Sequence, residues 1–112
     1  MRLVIKTTGT TLTPTLQSYV EEKLGGLERF FRAKENPEMQ IEIGKPSKHH
    51  KKGDVFYAEA NLKLSSKLFR ATSQNWDLRI AIDEVRHHLE RQVTQYKDKL
   101  VASHRKRTPE TD

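Results

Sequence analysis

The segment AIDEVRHHLERQVTQYKDKL, Ala81 to Leu100, places its apolar residues at Ile82, Val85, Leu89, Val93, Tyr96 and Leu100, in steps of three and four. That is the spacing of a helix with one dry face. Such a helix must lay its stripe on another element. The partner is legible in FYAEANLKL, where Phe56, Ala58, Ala60, Leu62 and Leu64 alternate with Tyr57, Glu59, Asn61 and Lys63. Strict alternation describes a strand with one face buried and one wet. Together the two patterns call for a sheet covered by helices on one side only.

The remaining elements fit around this pair. Residues 2–7, RLVIKT, alternate weakly and predict a short strand. TLTP comes next, with Thr13 suited to cap a helix and Pro14 to its first position. Leu16, Val20, Leu24, Leu27 and Phe31 mark the apolar face of a helix to about Arg32, and because the stripe stays in register across Gly25-Gly26, the helix is expected to continue through them. The glycines cost about 2 kcal/mol relative to alanines, and would permit close approach to a neighbouring sheet. KENPE is a linker, and Met39, Ile41 and Ile43 alternate in a second strand. After the third strand, Ser65-Ser66 turns the chain into KLFRATS, a fourth. The long helix begins near Asn75 or Asp77, and after Ala102 its stripe stops.

The expected order is β-α-β-β-β-α, an α+β fold with a four-stranded mixed sheet and both helices packed on one face. The helical connection makes the first two strands parallel, and the short connections make the others antiparallel. Residues 1–102 form one domain, and 103–112 read as a disordered tail, basic and then acidic. A chain of 112 residues has room for one modest core. It has no cysteine, which excludes disulfides and thiolate metal sites. No apolar run approaches the roughly 20 residues of a membrane span, and MRLVIKTTG is no signal peptide. The simplest expectation is a soluble, cytoplasmic protein.

Charge narrows the function. Lys and Arg total 21 against 15 acids, a net +6, with a pI near 9.7. Such an excess favours polyanions. KPSKHHKK, residues 45–52, contributes Lys45, Lys48, Lys51 and Lys52 without an acid. The last helix and its tail contribute Arg79, Arg86, Arg91, Lys97, Lys99, Arg105, Lys106 and Arg107. Between residues 13 and 32 the charges balance. Clustered cations of this kind suit phosphate contacts. Aromatic residues make up only 7%, and Phe30, Phe31, Phe56 and Phe69 look like core, so a platform for stacking single strands is not evident. Recognition of folded RNA by shape and phosphate fits better. Trp76 and Tyr57 offer either stacking or packing.

Other chemistry is thinner. Asp83, His87 and Glu90 share one helix face and would suit a divalent metal or acid–base work. Arg86 and Arg91 lie beside them at pairing distance, which gives the carboxylates a structural use. His49 and His50 sit among lysines that repel a metal cation. There is no GxxxxGK[ST] or GxGxxG phosphate cradle and no nucleophile elbow. Charge and spacing thus leave open a generic double-stranded RNA-binding module and, behind it, a metal-dependent enzyme.

AID, then LERQ, then KDKL, in this order of elements and after TPTLQSYVEEKLGGLERFF, resembles the bacterial ribosome hibernation promoting factor and ribosome-associated inhibitor family, whose members are also labelled sigma-factor modulation proteins. The resemblance spans about residues 1–100. It implies a non-enzymatic factor without cofactor or small-molecule substrate, which binds the 30S or 70S ribosome. There it would occupy the small-subunit decoding channel through 16S rRNA phosphates, competing with mRNA and tRNA and silencing translation in slow growth or stress. The matching basic positions are Lys23, Arg29, Arg91, Lys97 and Lys99. The lysines of segment 45–52, Arg79, Arg86, His87 and Arg105–Arg107 join them on charge alone. Members often carry Asp-Lys where this chain has His87-His88, Tyr-Ala where it has Arg79-Ile80, and a lysine near Gln95. Charged imidazoles would add phosphate attraction towards pH 6. The dozen residues after Leu100 imply the short form, without the appended domain that pairs ribosomes. Whether it promotes or prevents pairing is open.

Overall fold

The computed structural model describes residues 1–45 and 55–107, and the side chains up to Ser103. The elements are β1 (Arg2–Thr8), α1 (Pro14–Gly25), β2 (Glu38–Gly44), β3 (Phe56–Leu64), β4 (Lys67–Asn75) and α2 (Leu78–Arg107). The sheet runs β1-β2-β3-β4. β1 and β2 are parallel, and the other two pairs antiparallel. The β-α-β-β-β-α order and the mixed sheet are those the sequence calls for.

Register explains the core. Leu3 lies beside Met39, Met39 opposite Leu62, and Leu62 opposite Phe69. One row on, Ile5, Ile41, Ala60 and Ala71 are neighbours. Because side chains alternate across a sheet, these rows share one face. Val20, Leu24 and Leu27 from the first helical segment close that face, together with Ala81, Ile82, Val85, Leu89 and Val93 of α2. α2 lies over β3 and β4, and α1 packs beside it and against β1. The opposite face carries Lys6, Glu42, Glu59 and Thr72 in one cross-strand row.

Caps set the helix starts. The Thr13 hydroxyl accepts the Leu16 N–H at 3.1 Å, and Pro14 opens α1. At α2, Asp77 Oδ1 accepts the Arg79 N–H at 2.9 Å, and the Asp77 carbonyl accepts the Ala81 N–H at 3.1 Å.

Three details depart from the sequence reading. The α-helix stops at Gly25 and the chain tightens into a 3-10 segment, Gly26–Phe30. Two adjacent glycines are the weakest point of the run, and a 3-10 turn keeps Leu27 fully buried without needing α-helical bonds there. The sheet is not what lies nearest to them: a Cβ at Gly25 would touch nothing within 4 Å, and the three atoms nearest to one at Gly26 are those of the Arg86 guanidinium, at 3.8 Å. Leu100 leaves the stripe, 42% exposed. The 30 residues of α2 span about 45 Å. The nine-residue β4 beneath covers roughly 30 Å. Past Tyr96 the helix therefore outruns its sheet. Its backbone stays helical through Arg107, five residues beyond the Ala102 boundary.

Candidate nucleic-acid interface

α2 presents its cations in two different ways. Arg86, Glu90 and Lys97 are engaged within the fold. The Arg86 guanidinium lies 3.5 Å from Glu90 one turn on, and also shields Gly26. Lys97 Nζ donates to Glu35 Oε1 at 2.6 Å, in the segment before β2. Burial would raise the Glu35 carboxyl, but the Lys97 hydrogen bond, the Arg32 N–H and the nearby positive charge hold it below the usual range. Arg91 and Lys99 are exposed, and among the described residues neither has a carboxylate within ion-pair distance. Arg79 is 69% exposed with only a 3.9 Å approach to Asp77.

On the first helical segment, Lys23 lies over the Tyr19 ring at 5.6 Å, and Arg29 over Phe30 at 5.0 Å. In both contacts the cationic head itself lies over the aromatic ring. Lys45 lies 5.2 Å from the Phe56 ring centroid. Lys48, Lys51 and Lys52, with His49 and His50, lie outside the described residues, as do the side chains of Arg105, Lys106 and Arg107.

The carboxylates of the Asp83, His87 and Glu90 trio are taken up elsewhere. Asp83 Oδ1 accepts the Tyr19 hydroxyl at 2.7 Å, tying α2 to α1, while Glu90 faces Arg86. His87 is exposed, with its ring 6.2 Å from that of His88. Among the described residues no three His, Asp or Glu side chains are placed to hold a metal.

A groove of about 340 Å³ runs between the edge of β4 and α2, lined by Arg70, Ala71, Thr72, His88, Arg91, Gln92 and Gln95. Its floor is pinned by Gln92 Nε2 donating to the Arg70 carbonyl at 2.8 Å. The groove joins residues more than fifteen positions apart, and in the sequence Arg70 reads as one more polar residue on a wet strand face. Its guanidinium turns to Glu59 on the face of the sheet away from α2, and it meets the groove through the carbonyl that Gln92 reaches.

The model for the sigma 54 modulation protein / S30EA ribosomal protein family matches residues 3–101. The chain belongs to this family. Among curated relatives, the ribosome hibernation promotion factor of Staphylococcus aureus is 33% identical over 90 residues, covering 80% of this chain. The chain spans 45% of that relative's length. The N-terminal domain of Thermus thermophilus Protein Y superposes with a TM-score of 0.67 at 26% identity, covering 86% of this chain and 99% of that one. A ribosomal subunit interface protein from Coxiella burnetii shares the fold, with a TM-score of 0.69 at 23% identity over 88% of this chain and 99% of its own. The S30EA match takes in α1, all but the first residue of the sheet and α2 as far as Val101, so Arg91 and Lys99 lie within the shared domain.

Proposed function

We propose that this chain is a ribosome hibernation factor that silences translation by occupying the small-subunit decoding channel. It grips 16S rRNA phosphates there and blocks the mRNA and tRNA sites. The observation that carries this reading is the pair Arg91 and Lys99, exposed on a family-matched helix and unclaimed by any described carboxylate. Unpaired cations gain most from phosphate, because no internal ion pair has to be broken first. Arg79, Lys23 and Arg29 extend the same set, and the likeness to the Staphylococcus aureus ribosome hibernation promotion factor supports the ribosome as partner.

The test is co-sedimentation with bacterial ribosomes on sucrose gradients at low and high salt, with initiator tRNA as competitor. Salt-sensitive binding that tRNA displaces is expected. Binding to naked duplex RNA with equal affinity would instead favour a general double-stranded RNA module. Arg91→Glu with Lys99→Glu should weaken ribosome binding while the domain stays folded, since neither side chain supports the core. A folded double variant that co-sediments like the wild type would remove this surface from the interface.

A further inference from the structure

We propose that Lys67 of β4 and Lys99 of α2 form a two-lysine clamp for an RNA phosphate, mounted on the ring of Tyr96. The clamp rests on the reading of α2 as an RNA-contacting helix and adds a contact from the sheet. Lys67 opens β4 and alternates in step with Phe69 and Ala71, which are buried on the helix face. Its ammonium comes up beside α2, 5.5 Å from the centroid of the Tyr96 ring. Lys99, one turn beyond Tyr96, lines the same groove of about 300 Å³, together with Gln95.

Tyr96 is a firm mount. Its ring meets Phe69 edge-on, with centroids 5.5 Å apart and planes at 69°, and Phe69 belongs to the core. A lysine resting on a ring held by the core has less side-chain freedom left to lose on binding. The cation–π contact itself is worth about 0.5–1 kcal/mol at an exposed site, so the ammonium can turn to a phosphate at small cost. Among the described residues neither lysine has a carboxylate within ion-pair distance, and no carboxylate lines the groove. Two ammonium groups facing one hollow repel each other, and an anion between them relieves both. Arg91 stands eight residues back on the same helix, about 12 Å along its axis. Charges spaced in this way suit a polyanion with repeated phosphates better than a single carboxylate.

Lys63 supplies the contrast. In the sequence it looks like Lys67, four residues away across the Ser65-Ser66 turn. The register separates them: Lys67 lies opposite the buried Leu64, and Lys63 opposite the exposed Leu68. Lys63 therefore stands on the face of the sheet away from α2, where Arg70 pairs with Glu59. Bulk charge treats the two lysines alike; the clamp requires only Lys67.

Two measurements test this. In the first, a short RNA duplex is titrated into the full chain at low salt, and the lysine side-chain ε-methylene signals are followed by NMR. Those of Lys67 and Lys99 should shift along one common saturation curve while Lys63 stays still. Movement of Lys99 without Lys67, equal movement of Lys63, or no movement at saturating RNA would each overturn the clamp. This arm does not depend on ribosomes. In the second, the salt dependence of binding to 70S ribosomes is compared for the wild type, Lys67→Ala, Lys67→Arg and Lys63→Ala. Lys67→Ala should lower the slope of log K against log salt by about one contact, roughly 0.7–0.9, with the melting temperature unchanged. Lys67→Arg and Lys63→Ala should keep the wild-type slope. An unchanged slope in Lys67→Ala would overturn the clamp on the ribosome and leave the hibernation reading intact. Absence of ribosome binding would remove that reading, and the duplex titration would then decide the clamp.

Discussion

Lys97 Nζ sits 2.6 Å from Glu35 Oε1, so a lysine at a family-matched position fastens α2 to the segment that leads into β2. Glu35 is the hub of that corner. Its carboxylate also accepts the Arg32 N–H at 2.8 Å, and its carbonyl accepts the Ser65 N–H of the β3–β4 turn at 2.8 Å. Glu35→Gln keeps the shape and removes the charge, and should cost about 1–2 kcal/mol at neutral pH, as expected for a charge-assisted hydrogen bond. The pH dependence comes from a carboxyl whose folded value is held low. Its contribution is present above the unfolded value near 4.3 and disappears as pH falls through the lower folded one. Urea unfolding at pH 7 and at pH 3 should show the gap between wild type and Glu35→Gln closing at the acid end.

Tyr19 and Asp83 make the corresponding link between the two helices. Burial, the hydrogen bond to Asp83 and the repulsion of its charge push the Tyr19 phenol up to about 12. For a group whose folded value is raised, the contribution is present below the unfolded value near 10 and is lost as pH rises through about 12. Tyr19→Phe should cost about 1 kcal/mol at pH 7. In an ultraviolet titration of the phenolate, this variant should lack a component ionising near pH 12 in the wild type. Loss of an earlier component would show that the bond to Asp83 does not persist in solution.

The salt dependence of ribosome binding should separate the two kinds of cation on α2. Each phosphate contact contributes a slope of roughly 0.7–0.9 to log K against log salt. Arg91→Ala should reduce the measured slope by about one contact with little change in melting temperature. Lys97→Ala should do the opposite, lowering the melting temperature while leaving most of the slope, because its ammonium already serves Glu35. If Lys97→Ala cuts the slope as much as Arg91→Ala, the ion pair opens on binding and Lys97 turns to the RNA.

Local signals carry most of the fold. The stripe of α2, the alternation of β3 and the Thr13-Pro14 start each depend on neighbours within a few residues, and the structure shows all three. The 3-10 segment after Gly25 follows from the glycine pair, against the in-register stripe, and the loss of Leu100 depends on how far the sheet extends under α2. The candidate interface is less legible for the same reason. A basic residue in a sequence is only a charge; whether Lys97 is spent on Glu35 and Arg91 is left open is decided by where the short 3-10 turn Ala33–Glu35 arrives, with Glu35 62 residues away in sequence from Lys97. Asp83, His87 and Glu90 illustrate the converse. Their helical spacing is real, but Tyr19 and Arg86 claim the two carboxylates.

Gly44 shows how tightly the wet face of the sheet is assembled where β1, β2 and β3 meet. It lies between Thr8 and Tyr57 in the register, and the Tyr57 side chain crosses over it to reach Glu42. Glu42 Oε2 accepts the Thr8 hydroxyl at 2.8 Å and the Tyr57 hydroxyl at 2.9 Å. Those two bonds, with a smaller contribution from Lys6, outweigh the effect of burial and hold the Glu42 carboxyl below its usual range. A Cβ on Gly44 would come within 2.5 Å of the Thr8 carbonyl oxygen and 2.8 Å of the Tyr57 ring. The ring could swing away, but the carbonyl belongs to a paired strand. Gly44→Ala should therefore destabilise the domain by about 2–4 kcal/mol, the range of a severe overpacking change. Adding Tyr57→Ala should not restore the loss, because the clash with β1 persists. Thermal unfolding of the single and double variants decides the point: recovery in the double variant would mean that the tyrosine ring, rather than the backbone of β1, is what requires glycine there.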